Sequence, residues 1–172
     1  QVSIPAGAEA AVLGDGKLGL LAALVLHAHG ARVHLYGHHE AKLRIAGDAG
    51  VATFRNAPLP EGRFDWVVEA TGSSEGLRQA VAMTRPRGTV ILKSTVHNAV
   101  SIDTAPIVVN EITLVGSRCG RFDPAMALLE TGTLPLGRMI SDRFPLAETP
   151  RAFERAAEKG VLKVLVESPP AR

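Results

Sequence analysis

The chain has 172 residues, 46% of them hydrophobic and 21% charged, which suits one domain with a real core and excludes two large domains or a disordered chain. Lys and Arg number 19 against 17 Asp and Glu, a formal net charge of +2, too even to argue for nucleic acid although it suits a protein that holds a polyanionic cofactor. Aromatic residues at 4% are too few for the stacking platforms of single-strand binders, and the lone Cys119 excludes an intrachain disulfide and any multi-cysteine zinc site.

Residues 1–7 read as a short lead, with Pro5 and Gly7 as a turn signal. An apolar run over residues 10–13 predicts the first strand, and it ends in Gly14-Asp15-Gly16-Lys17-Leu18-Gly19, the spacing G-x-G-x-x-G. An Ala/Leu-rich helix is predicted over 17–29, closed by Gly30, and a second strand over 32–36. Strand, glycine turn, helix and strand together are the context that this spacing requires of a dinucleotide site. Gly14 permits the bend out of the strand, Gly16 lets a pyrophosphate approach the backbone, and Gly19 lets the helix lie close on the sheet. Lys17 and Leu18 open the helix with Gly19, where free N–H groups and the positive end of the helix dipole would meet the phosphates.

Helical composition over 40–47 and a short strand over 50–54 follow, then a loop over 56–62 that carries Pro58 and Pro60. Residues 64–70 form a near-continuous apolar run, as expected of a parallel strand covered on both faces. Ser73 or Ser74 is predicted to cap a helix over 75–83. A turn at 86–88 then leads to a fifth strand over 89–92, and residues 111–115 supply a sixth. The expected fold is therefore α/β, a doubly wound parallel sheet of six strands of the Rossmann type. A helix from Asp123-Pro124 to Glu130 closes on Gly132, with Pro just inside its start and Gly just past its end. Beyond it a strand over 139–144, a helix over 150–159 and an apolar run over 161–166 do not extend the alternating scheme. The domain division expected is 1–137 for the dinucleotide-binding domain and 138–172 for elements leading back toward another domain.

No apolar run reaches the roughly 20 residues needed to span a bilayer, the longest being residues 18–26. The chain begins at Gln1, and no charged region precedes an apolar stretch. It is expected to be a piece of a longer or processed protein, located in the cytoplasm.

Five motifs in order resemble the cofactor-binding half of the medium-chain, zinc-type alcohol dehydrogenases. They are Val-Leu-Gly-Asp-Gly-Lys-Leu-Gly at 12–19, Phe-Asp-Trp-Val-Val-Glu-Ala-Thr-Gly at 64–72, Arg-Gly-Thr-Val-Ile-Leu at 87–92, Ile-Thr-Leu-Val-Gly-Ser at 112–117 and Phe-Pro-Leu-Ala-Glu-Thr-Pro-Arg-Ala-Phe-Glu at 144–154. The resemblance implies an intact enzyme that transfers hydride between a nicotinamide dinucleotide and an alcohol or carbonyl. It also implies a catalytic domain, holding zinc on Cys, His and Glu or Asp, that is absent from this sequence. The chain alone would bind cofactor and do no chemistry, with no catalytic residue and no metal ligand of its own. The family pairs edge strands of this domain across a twofold axis, so a homodimer is expected; neither nucleic acid nor membrane is an expected partner. Short-chain dehydrogenases fit less well, because Tyr36 is followed four residues later by Glu40 and not by Lys. A methyltransferase wants an acid after the second strand, where Gly37 stands. A non-catalytic module that senses the dinucleotide is the rival reading.

The resemblance also marks residues. Family members that prefer NAD place an Asp at the end of the second strand to bind the ribose hydroxyls, where it would repel a 2′-phosphate. Gly37 removes that acid, while His38, His39 and Lys42 could each donate to a phosphate, so NADP is expected ahead of NAD; the plain alternative is a turn with solvated histidines. Thr71 and Gly72 resemble the point where the family's backbone passes the ribose and nicotinamide. Lys93 and Ser94 end the fifth strand, facing cofactor or water. Ser117 and Arg118 follow the sixth, where the family's backbone binds the carboxamide, and Cys119 beside them is expected to be structural. Lys163 matches a family position whose basic residue reaches the pyrophosphate, and an edge-strand lysine is the equal alternative.

Overall fold

The computed structural model describes residues 2–96 and 99–168. They fall into two compact units, 1–134 and 135–172. In the first, β1 (Glu9–Leu13) is followed by α1 (Lys17–Ala28), β2 (Arg32–Gly37), α2 (Glu40–Gly47), β3 (Ala52–Arg55) and β4 (Phe64–Glu69). Then come α3 (Ser74–Met83), β5 (Thr84–Leu92), α4 (Ala105–Val109), β6 (Thr113–Gly116) and α5 (Phe122–Glu130). The six strands form one sheet in the order β3-β2-β1-β4-β5-β6, and every neighbouring pair is parallel. The expected doubly wound sheet is what the chain forms, in the strand order that binds dinucleotides at the point where the order reverses. That point lies between β1 and β4.

The two strands that flank it are the most deeply buried. Ala10, Ala11, Val12 and Val67 have no exposed surface, and Leu13 and Val68 have 3% each. Apolar runs of this kind are stable only with helices over both faces, which is why the sequence reads as continuous here and not as alternating. The core gathers Leu13, Tyr36, Phe64, Met83 and Val90 beneath the crevice. This packing fixes the carboxyl ends of the central strands, and with them the residues that begin each turn.

The fifth strand departs from the expected one. Instead of a turn at 86–88 and a strand starting at Thr89, β5 runs from Thr84 with Pro86, Arg87 and Gly88 inside it. Phe64 pairs with Thr84 and Trp66 with Thr89, so the intervening residues loop out of register. Arg87 takes φ +62° there, and the punctuation seen in the sequence is an irregularity within the strand. The five-residue α4 was not foreseen; a single turn leaves no apolar periodicity to read.

The second unit holds β7 (Ile140–Pro145), α6 (Thr149–Ala157) and β8 (Lys163–Glu167). β7 and β8 pair in parallel as a separate two-stranded sheet. Its buried apolar residues are Met139, Ala152 and Leu162.

Candidate functional site

A cleft of about 710 Å³ lies at the carboxyl ends of β1, β2 and β4, floored by Leu13 and Tyr36 and walled by the glycine turn. The three glycines of that turn differ in what a side chain would meet. Gly14 has φ +110°, and a Cβ on it would lie 2.5 Å from the Ala70 carbonyl oxygen. A Cβ on Gly19 would run into the Gly14 carbonyl. Both absences are needed by the protein itself. Gly16, by contrast, has nothing within 4 Å of that position. It caps α1 with no side-chain hydrogen bond, and no acid stands in the first turn, so the helix presents its free N–H groups to open space.

The end of β2 holds a residue that the sequence reading did not single out. Asp15, the residue between the first two glycines, reaches across to the turn after β2. Its Oδ2 accepts from the backbone N–H of His38 at 2.7 Å and of His39 at 2.6 Å, and from His39 Nδ1 at 3.0 Å. The carboxylate is buried, with 9% of its side chain exposed, while the His39 ring is 57% exposed. Burial raises the Asp15 pKa, but the hydrogen bonds from the His39 and His38 backbone, with the His39 ring, outweigh it and hold the group below its ordinary range. Gly37 faces this side chain: a Cβ there would stand 2.6 Å from the Asp15 Cβ and 2.7 Å from its Oδ2. The space that Gly37 was expected to leave for a phosphate is thus filled from the glycine turn, and a negative charge stands at a strand end expected to carry none. A signal was present in the sequence, since a carboxylate inside a phosphate-binding loop is electrostatically out of place.

His38 is held by a second tie. Its Nδ1 lies 2.6 Å from Asn56 Oδ1, and the Asn56 N–H donates to the Gly37 carbonyl at 3.0 Å. Both histidines line the cleft, each engaged through Nδ1. Lys42, in the first turn of α2, is half-buried and outside the cleft lining.

On the β4 side, Glu69 is 2% exposed and accepts from the Thr71 N–H at 2.8 Å and the Thr71 hydroxyl at 2.6 Å. Ser73 caps α3 by accepting from the Gly76 N–H at 3.0 Å. Gly76 is needed here because a Cβ on it would strike Thr71 Oγ1. Thr71 lines the cleft with Ser73, and Gly72 donates its N–H to Ser94 Oγ at 2.7 Å. Farther along the sheet, Lys93 Nζ donates to the Arg118 carbonyl at 2.9 Å and to Ser117 Oγ at 3.3 Å, tying the end of β5 to the segment after β6.

The cleft therefore gathers Gly14, Gly16, Gly37, His38, His39 and Thr71 from the expected set. Lys17, Leu18 and Gly19 stand in the first turn of α1 beside it. Gly72, Lys93, Ser94, Ser117 and Arg118 belong to the β4–β6 strand ends outside the cleft lining. Lys163 is exposed at the start of β8 in the second unit. Cys119 is exposed, not packed as a small core residue. Among the described residues no group of three or more His, Cys, Asp or Glu could hold a metal ion, and no helix is long and apolar enough to cross a membrane. The described residues thus offer no ligand set that fits a zinc ion.

The zinc-binding dehydrogenase family matches residues 18–131. Among individual relatives, D-arabinitol dehydrogenase 1 of Uromyces fabae is 30% identical over 94% of this chain and 52% of its own length. Sorbitol dehydrogenase of Bombyx mori is 26% identical over 96% of this chain and 53% of its own. The crystal structure of a zinc-binding dehydrogenase from Sinorhizobium meliloti 1021 bound to NADP superposes with a TM-score of 0.84 at 31% identity, covering 95% of this chain and 53% of that one. The chain thus spans about half the length of the relatives it matches. With its strand order, its glycine turn and these matches in agreement, the chain belongs to the zinc-binding dehydrogenase family, of which it forms the cofactor-binding part.

Proposed function

We propose that this chain binds a nicotinamide dinucleotide as part of an oxidoreductase acting on a polyol or other alcohol, or on the matching carbonyl compound. The observation that carries the reading is the glycine turn itself. Gly14 and Gly19 are fixed by packing, whereas Gly16 faces open space at an uncapped helix N-terminus above the cleft. The dinucleotide would supply the hydride chemistry. This chain's part is to hold it: α1 meets the pyrophosphate through Gly16, Lys17 and Leu18. The ends of β1 and β2 take the adenosine, and Thr71 and Gly72 lead it along β4. Ser94, Lys93, Ser117 and Arg118 carry it toward the carboxamide. Reaction at the substrate carbon belongs to whatever part supplies the zinc.

NADP is the proposed cofactor ahead of NAD. Two histidines with engaged Nδ1 atoms line the cleft, and the Sinorhizobium meliloti relative binds NADP. Titrating the 172-residue chain with NADPH and with NADH, followed by nicotinamide fluorescence, tests both statements. Saturable binding of either supports the dinucleotide site, and about tenfold tighter NADPH supports the preference. A flat titration with both overturns the reading.

A homodimer is proposed as well, on the family's habit of pairing this edge. β6 is the outer strand of the sheet, with Leu114 38% exposed, and an open edge of this kind tends to find a partner. Light scattering should give twice the chain mass, and Leu114→Lys should return it to the monomer.

A further inference from the structure

We propose that Asp15 is a positioning residue for cofactor choice: from inside the glycine turn it locks the 37–39 backbone and the His39 ring so that the two imidazoles address the 2′-phosphate of the dinucleotide. The inference rests on the dinucleotide reading above.

Three observations lead to it. The first is that Asp15, although it lines the cleft, spends its Oδ2 on the protein. Its Oδ2 already takes three donors, two of them backbone N–H groups of consecutive residues, and its side chain is 9% exposed. A ribose acceptor would need an accessible oxygen with lone pairs to give. The second is the direction in which the histidines are tied. An ionised carboxylate can only accept, so His39 must place its hydrogen on Nδ1. Asn56 Oδ1, likewise an acceptor, requires the same of His38. In both rings Nε2 is the nitrogen left for a ligand, and on protonation it becomes a charged donor suited to a phosphate oxygen.

The third is the charge around the turn. Asp15 is met by two N–H dipoles and a ring N–H. Glu40, the acid in the first turn of α2, is paired with Arg55 Nε at 3.6 Å. Arg55 itself lies opposite Gly37 in the β2–β3 register, and Lys42 follows in the same turn of α2. Asp15 and Glu40 are thus both engaged, and the donors left at the cleft belong to His38 and His39. Asp15 makes that arrangement possible by filling the space beside Gly37 and pinning both residues after it. It acts through the histidines.

The experiment compares adenosine-side probes that differ only in the phosphate in question, 2′,5′-ADP and 5′-AMP, by calorimetric titration of the 172-residue chain at low salt, with NADPH and NADH alongside. The unmodified chain should favour 2′,5′-ADP about tenfold. Asp15→Asn should reduce that ratio to about one while leaving 5′-AMP binding within twofold. His38→Ala and His39→Ala should each lower the ratio, and adding Asp15→Asn to the two together should change it by less than a factor of two, because the carboxylate would have no ring left to position. A ratio unmoved by Asp15→Asn, a ratio that rises, or equal loss of both probes would each overturn the proposal. The second outcome would mean that the carboxylate repels the phosphate, and the third that it only supports the fold. Should Asp15→Asn not fold, His38→Ala and His39→Ala keep the backbone hydrogen bonds to Asp15, and a ratio unmoved by both overturns the proposal equally. Failure of the unmodified chain to bind NADPH and NADH alike would remove the dinucleotide reading and this inference with it. Binding of both with a ratio indifferent to these variants removes the inference alone.

Discussion

The two ends of the six-stranded sheet are built to different degrees of completeness. Around β1, β2 and β4 almost every apolar side chain is covered, and the turns are tied to one another by hydrogen bonds from Asp15, Asn56 and Glu69. Around β5 and β6 the strand ends are joined chiefly by Lys93, and α4 and α5 contain no fully buried residue, although Ile107 of α4 packs half-buried against the core. Val108, Val109 and Phe122 are 74%, 79% and 80% exposed. The first end is the one that the proposed reading assigns to the adenosine and pyrophosphate. The second leaves these large apolar side chains open to solvent. Adenosine recognition can therefore be tested in this chain alone, while the nicotinamide end is expected to acquire its full shape only with what covers it.

The largest effect should come from the finished end. Gly16→Val places a branched side chain in the open space over the N-terminus of α1, where nothing of the protein stands within 4 Å. Dinucleotide affinity should fall by about 100-fold or more, which corresponds to about 2.7 kcal/mol, while the thermal midpoint moves little. Retained affinity in calorimetry would detach the cofactor from this turn.

Next is Glu69, the 2%-exposed acid beneath Thr71. Its hydrogen bonds to the Thr71 N–H and hydroxyl hold the chain as it leaves β4, and hydrogen bonds to a charged group contribute about 1.5–3 kcal/mol. Glu69→Ala should lower stability in urea by about that amount and weaken NADPH through the displaced Thr71. Because α5 contains no buried residue and Phe122 is 80% exposed, Phe122→Ser at the other end should leave urea stability within about 0.5 kcal/mol.

Gly37 separates what the sequence could tell from what it could not. From sequence, the missing acid at that position suggested room and neutrality. In the fold, a Cβ there meets Asp15 at 2.6 Å, so Gly37→Ala should cost about 1–3 kcal/mol as overpacking, and Gly37→Asp is no clean test of cofactor choice. The first strand, the glycine turn, the first helix and the buried fourth strand were legible because each is written in local pattern: a spacing, a period, a cap. The Asp15 contact was not, because it joins residues 23 and 24 positions apart whose meeting depends on β1 and β2 lying side by side. The looped-out residues of β5 were hidden for a related reason. Pro86 and Gly88 signal a break in either case, and only the pairing of Trp66 with Thr89 decides that the strand continues across it.

The smallest effect, and the one with a pH signature, concerns His34 in the middle of β2. Its ring stacks on Phe54 at 5.6 Å and meets the edge of Phe64 at 5.1 Å, and its Nδ1 is buried with no hydrogen-bond partner. Burial lowers its pKa, and repulsion from Arg63 and Arg32 adds to this against the opposing pull of Glu9. The unfolded chain then binds the proton more readily than the folded one. Stability from this group is fully present above the unfolded value of about 6.5 and is lost as pH falls through the lower folded pKa. His34→Phe removes both the proton site and the unpartnered nitrogen, whose desolvation costs about 1 kcal/mol when a group is only partly shielded. The variant should be more stable by about that amount at neutral pH, and its urea midpoint should fall less steeply than that of the unmodified chain below about pH 6.5. Binding of NADPH should not change, because the ring lies under the aromatic cluster and outside the cleft lining. An acid profile identical in the two proteins would show that His34 finds a partner for its proton in the folded state.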